Sequence, residues 1–299
     1  MGIDAFTAPG KFWRGNLHTH SNVSDGALHP GEVCEKYREA GYDFLCLSDH
    51  FMKRYGFPIT DTRAFRSDLF TTIPGAELHA MANSQNELWH ILAVGLPEDF
   101  AETGEEESGL QLAARAKAAG AFVGIAHPQW SGLTAEDGRA MAEHAHAVEV
   151  FNHTCALECA RPDGSAMLDQ LLSEGYRLGS YAADDAHFHA PDAFGAWTMV
   201  KAQENQPEAL LEALKAGHSY SSQGPIIHTL ARDGDELVVE CSPAVTIIAL
   251  GRGSRSTNWR GDDLTETRLP LEPFREDWLR VVVTDAAGRL AWSNPIWLD

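Results

Sequence analysis

Metal-competent side chains punctuate the short apolar runs of this chain, and that placement restricts its fold more than any other feature. His18-Thr19-His20 closes the run that starts at Trp13, and His50 follows Phe44-Leu45-Cys46-Leu47-Ser48-Asp49. Glu77 follows Ile73-Pro74-Gly75-Ala76, His90 sits inside Leu88-Trp89-His90-Ile91-Leu92, His127 follows Gly124-Ile125-Ala126, and Asp185-Ala186-His187 follows Ala183-Asp184. Apolar runs of this length, separated by helix-like segments, read as buried parallel strands alternating with helices. In a barrel of parallel strands the polar residues at the C-terminal strand ends converge on one mouth. A strand from Trp13 to His20 would also put both imidazoles of His18 and His20 on one side, by its period of two. A divalent-metal site is therefore the first expectation.

The local pattern places the remaining elements. Pro30 opens a helix over 30–40 that Gly41 ends. Strands are expected at 43–48, 71–76, 88–95, 121–126, 147–152 and 178–183, and helices at 108–119, 165–175 and 206–216. The polar loop 51–70 leaves its strand at the catalytic end and carries Lys53, Arg54, Arg63 and Arg66, cations suited to a substrate phosphate. After Ser222-Gln223-Gly224-Pro225 the pattern changes to short strands broken by Asp233-Gly234 and Ala287-Gly288, the signature of antiparallel β structure. The expected fold is α/β, a distorted seven-stranded (β/α) barrel over residues 1–224 followed by a small antiparallel β domain over 225–299.

In order along the chain, His18-x-His20, Asp25, His50, Glu77, His90, His127 and Asp185-x-His187 resemble the motifs of the polymerase and histidinol phosphatase (PHP) superfamily of metal-dependent phosphoesterases. Gly15-Asn16-Leu17-His18-Thr19-His20-Ser21 and Ala291-Trp292-Ser293-Asn294-Pro295-Ile296-Trp297 are similar to the CehA/McbA branch of metallohydrolases. The resemblance implies the barrel and a cluster of two or three metals. It also implies the ligand sets: His18, His20, Glu77 and Asp185 for one ion, Glu77, His90 and His127 for a second, and Asp25, His50 and His187 for a third, with Glu77 bridging. Two positions depart from the superfamily pattern, Asn16 where Asp is frequent and Asp25 where His is frequent. Neither removes a ligand type, and the nitrogen and oxygen set without thiolate leaves zinc, manganese and iron open.

Two functional classes compete. In a hydrolase, a water between two ions would lose its proton near neutral pH and attack phosphorus or a carbonyl. Cleavage of a small phosphate monoester or diester leads, with ester, amide or carbamate hydrolysis as the alternative. The other class is a non-catalytic metal-binding module. Proton-transfer or second-tier roles fall to Asp49, Asp184, His79, His153 and His189, with His153 and His189 the preferred catalytic candidates beside Glu77 and Asp185. Trp130 is placed to stack on a substrate ring, and Arg161 is a fifth cation near the mouth.

Composition narrows the partners. The formal charge of −20 repels nucleic-acid backbones and anionic lipid, so neither a nucleic-acid polymer nor a membrane is expected as partner. Three divalent ions would locally outweigh the carboxylates of Asp25, Glu77 and Asp185, which suits a small anionic substrate. The segment Met1 to Gly10 lacks the pattern of a secretory leader, and the five cysteines are an odd number without framework spacing; both features suggest the cytoplasm. The oligomeric state is left open.

Overall fold

The computed structural model describes residues 3–298. Of the segment read above as lacking a leader, Met1 and Gly2 lie outside this span, as does Asp299. Among the described residues, the helices are α1 (Asp4–Thr7), α2 (Pro30–Glu39), α3 (Gly109–Ala118), α4 (Ala135–Ala142), α5 (His153–Glu158), α6 (Ser165–Ser173) and α7 (Pro207–Lys215). The first ten strands are β1 (Lys11–Asn16), β2 (Phe44–Leu47), β3 (His50–Phe51), β4 (Thr71–Ala80), β5 (Trp89–Val94), β6 (Phe122–Ile125), β7 (Ala147–Asn152), β8 (Gly179–Ala183), β9 (Trp197–Ala202) and β10 (Ser219–Ser222). Beyond them run β11 (Ile227–Asp233), β12 (Glu236–Gly251), β13 (Ser256–Pro270), β14 (Trp278–Thr284), β15 (Leu290–Ser293) and β16 (Ile296–Trp297).

Alternation along each strand sorts the side chains into two layers. On β5, Ile91 and Ala93 face the cluster that contains Leu112, Ala113 and Ala116 of α3, while Leu92 and Val94 join an inner cluster with Phe44, Cys46, Ile73 and Tyr181. The same parity puts Ala76 and Leu78 of β4 toward the helices and Glu77 and His79 inward. The inner layer is tight: a Cβ at Gly124 would lie 2.5 Å from the Tyr181 ring, so glycine is needed there for close approach.

The barrel expected from the sequence is not closed by a backbone ladder. All sixteen strands belong to one open sheet, whose main path runs from β11 through β12, β14, β15, β10, β9, β1, β2, β4, β5, β6 and β7 to β8. Between β8 and its neighbours across the gap, side chains replace the ladder. Thr198 Oγ1 donates to Ala182 O at 3.0 Å and accepts from Ala182 N at 3.2 Å, and Asn294 Oδ1 accepts from Ser180 N at 2.6 Å. The expectation of uniformly parallel strands is also corrected. β1–β2, β2–β4, β6–β7 and β7–β8 pair in parallel, but β4–β5, β5–β6 and β1–β9 are antiparallel. Strand β1 stops at Asn16 rather than His20, and the chain continues through the parallel bridge Thr19↔Ala186. In the C-terminal part, the sequence pattern gives separate short strands at about 236–240 and 245–249, whereas β12 is one strand of sixteen residues, and it pairs with β13, which was not anticipated. The charged, mostly exposed run of β13 carries no apolar alternation to reveal it.

Candidate metal centre

The candidate ligands meet around the Glu77 carboxylate, which is completely buried. β4 delivers it opposite His50 in parallel register and opposite Leu92 across the antiparallel pair. Glu77 Oε1 lies 2.7 Å from His90 Nδ1 and 3.1 Å from His127 Nε2, and Oε2 lies 2.6 Å from His50 Nδ1. The same Oε2 is 3.7 Å from Nε2 of both His18 and His20. Those two imidazoles converge on Asp185 Oδ1, at 3.2 and 2.9 Å. On the outer side, Asp25 Oδ2 is 3.2 Å from His50 Nε2 and Asp25 Oδ1 is 3.6 Å from His187 Nε2. All nine sequence-predicted ligands are thus brought together. His90 reaches the mouth from the start of β5, not from a strand end, because β5 runs antiparallel and its first residues lie at the same edge.

The backbone is strained where two ligands leave their strands. His127 has φ of 23° and Asp185 of 58°, left-handed values that cost a non-glycine residue on the order of 1–3 kcal/mol. Ile125 packs toward the helices, so strict alternation would carry His127 the same way. The turn at His127 redirects its ring to Glu77.

Electrostatics and unpaired atoms fit a metal. Burial pushes the Glu77 carboxyl up, but His50, His90 and His79 outweigh it and hold the group well below the usual carboxylate range. Asp185 is likewise held low, burial being overcome by His18 and His20. His18 Nε2 and Glu77 Oε2 are buried with close neighbours but no well-aligned hydrogen bond, an arrangement that a cation between them would satisfy. Donor atoms of four groups lie close enough to share an ion: His18, His20 and Asp185; His18, Glu77 and His127; His50, Glu77 and His79; and His20, Asp25, His50 and His187. The second differs from the expected Glu77, His90 and His127 set, and the third brings in His79, whose Nε2 is 2.8 Å from His50 Nδ1. Nitrogen and oxygen donors fit zinc, manganese or iron alike.

Sequence reasoning missed Glu149. It is fully buried on β7, with Oε1 3.2 Å from His18 Nδ1, while Oε2 accepts from His127 N at 2.6 Å and from Asn152 Nδ2 at 3.1 Å. Its one signal was a charge inside the apolar run Ala147-Val148-Glu149-Val150. Two flanking carboxylates anchor the ligand loops. Asp49 accepts from Ser21 N, Ser24 Oγ and Thr60 Oγ1, and Asp184 accepts from the backbone of Phe194, Gly195 and Ala196 and from the Tyr37 hydroxyl.

The centre opens into a cavity of about 350 Å³. Of the five predicted cations, Arg54 lines it. Arg161 lines an adjoining cavity with Trp130. The other three are turned away: Lys53 faces Glu105 at 3.8 Å, Arg63 pairs with Asp61 and Glu98, and Arg66 donates to Thr72 O. They face Asp61 of the same loop and Thr72, Glu98 and Glu105 outside it, neighbours that the sequence could not show. Nor are the two proton-transfer candidates brought to the cavity wall. The His153 ring packs against Gly195, and His189 Nε2 donates to the Asp25 carbonyl at 2.8 Å from an exposed position.

The family model that matches is the PHP domain, over residues 16–214. No curated protein matches the sequence. Among solved structures, a two-domain protein of Bacteroides vulgatus containing a predicted PHP-like metal-dependent phosphoesterase aligns over 97% of both chains, with 15% identity and a TM-score of 0.54. An amidohydrolase from Chromobacterium violaceum aligns over 60% of this chain and 89% of its own, with 15% identity and a TM-score of 0.42. With the model match spanning most of the chain and every motif residue gathered at one mouth, this protein belongs to the PHP domain family.

Proposed function

We propose that this chain is a hydrolase of small phosphate monoesters or diesters that works with two or three zinc, manganese or iron ions. The observation that carries the reading is Glu77, a buried carboxylate with imidazoles against both oxygens and no well-aligned hydrogen bond at Oε2. His18, His20, Asp25, His50, Glu77, His90, His127, Asp185 and His187 would hold the ions, with His79 in reach of the same group. Such ions activate water and neutralise charge on the oxygens of the reacting group. Asn152 Nδ2 donates to Asp185 Oδ2 at 3.0 Å and fixes the orientation of that carboxylate. Arg54 would meet a non-bridging phosphate oxygen. We read residues 1–224 as the hydrolase unit and 225–299 as a structural appendage to it.

One observation favours the second reading, hydrolysis of an ester, amide or carbamate. Among the described residues, Arg54 is the one lysine or arginine that lines the cavity, beside the apolar Met52, Leu88 and Trp130. Elemental analysis of protein purified without chelator, joined to a screen of phosphate esters, carboxyl esters and carbamates, tests both. We expect two or three metals per chain and phosphate turnover that chelation abolishes. Active protein holding one metal or none, or faster cleavage of a carboxyl ester, overturns the phosphoesterase reading.

A further inference from the structure

Two cavities meet at the Trp130 indole. The first holds the Glu77 cluster, and the second, about 500 Å³, reaches Gln85, Ser131 and Arg161. Leu88, His90 and Trp130 belong to both walls, so the two are compartments of one cleft. Trp130 is 44% exposed, and it stands roughly perpendicular to the rings of His90 and His127 at 5.2 and 4.8 Å. An indole held in place by two candidate ligands and open to both compartments is a platform for a flat ligand.

Each compartment also contains an uncommitted guanidinium. Arg54 lies over the Tyr55 ring at 4.5 Å and is engaged in no ion pair among the described residues. The Arg161 side chain has neither a hydrogen bond nor an ion pair among them. Several arginines elsewhere are tied down, Arg115 to Glu107, Arg139 to Glu174, Arg252 to Asp277 and Arg280 to Asp169. Arg260, like Arg54 and Arg161, has no side-chain ion pair among the described residues, but it lies on the mostly exposed Ser256–Pro270 strand away from both compartments. Glu87 shares the second compartment without pairing with Arg161. A ligand there must therefore present its anion to one side, which favours a rigid body over a flexible tail.

We infer that the substrate has two anionic ends joined by an aromatic body: the scissile group at the Glu77 cluster, the ring along Trp130, and a second anion on Arg161. This rests on the hydrolase reading above, and binding separates the two. Phosphonates cannot be hydrolysed, so their affinity is read whether or not phosphate esters turn over. Calorimetry on zinc-loaded protein would compare methylphosphonate, phenylphosphonate, 4-carboxyphenylphosphonate and the longer 4′-carboxybiphenyl-4-phosphonate. The phenyl compound is expected to bind more tightly than the methyl one, and at least one carboxylate-bearing compound about tenfold more tightly than phenylphosphonate. Arg161→Met should bring that last ratio close to one, and Arg161→Lys should retain part of it, a rescue that a merely structural role would not produce. A ratio near one in the native protein, a ratio that survives Arg161→Met, or no binding by any of the four overturns the inference. Failure of the hydrolase reading would show instead as absent turnover of phosphate esters.

Discussion

Glu149 Oε1 lies 3.2 Å from His18 Nδ1, both side chains fully buried, so the carboxylate holds the imidazole with Nε2 aimed at Asp185 and Glu77. A carboxylate behind a ligating histidine fixes its tautomer and raises its basicity. Because Glu149 also accepts from the His127 backbone, one side chain orients two candidate ligands.

Glu149→Gln should weaken metal binding by a factor of about 10 to 100, the usual loss when such a partner is replaced. Competition with a coloured chelator reads this directly. Native affinity in the variant would reduce Glu149 to a core hydrogen-bonding residue.

Arg54→Ala should lower kcat/KM for phosphate esters by a factor on the order of 10 to 100, since a charge-assisted hydrogen bond to the substrate is lost. Arg63→Ala and Arg66→Ala, whose guanidiniums face Asp61, Glu98 and Thr72, should change it by less than about twofold. If all three retain phosphate turnover while an aryl ester is cleaved faster, carbonyl chemistry replaces phosphorus chemistry.

Thr198→Val tests how the open sheet is held across its gap. The hydroxyl serves both Ala182 N and Ala182 O, and valine of similar shape would leave two buried backbone groups unpaired. Each such group costs about 1–3 kcal/mol, so denaturant unfolding should show a loss of roughly 2 kcal/mol or more. A loss under about 0.5 kcal/mol would mean that packing alone joins β8 to β9.

His146 gives a pH dependence away from the metal centre. Burial, followed by Lys117 and Lys215, lowers its pKa to about 4, and its Nδ1 accepts from Val123 N at 3.0 Å, which requires the neutral ring. The unfolded chain takes up this proton near pH 6.5, whereas the folded chain does so only near 4. Stability from this residue is therefore complete above about pH 6.5 and declines as pH falls toward 4. His146→Asn keeps an acceptor near the Nδ1 position and removes the titration, so the fall in Tm across that window should be shallower than in the native protein. Equal slopes would remove His146 from the acid response.

The local sequence was sufficient to identify the nine clustered residues and most of the elements that carry them. Residue type states what can ligate, and a short apolar run states that a strand is buried. Pro30, for example, marked the start of α2 and Gly41 its end. What local sequence could not carry was direction and closure. An apolar run such as Trp89–Val94 has the same period whichever way it crosses the sheet, so the antiparallel setting of β5, and with it the entry of His90 from a strand start, was decided by pairing with β4 and β6. Thr198 and Asn294 became bridges across the gap only once residues far apart in the chain were adjacent. The same holds for the cations: five looked equivalent on polar segments, and only the tertiary fold turned three toward Asp61, Glu98, Glu105 and the Thr72 carbonyl. At His127, named as a ligand by its type and place after an apolar run, strict alternation from Ile125 would by itself have carried the ring to the other face. The left-handed turn that sends the ring to Glu77 was decided by tertiary contacts, among them the Glu149 carboxylate that accepts its backbone N–H, because strain of that size persists only where surrounding structure holds it.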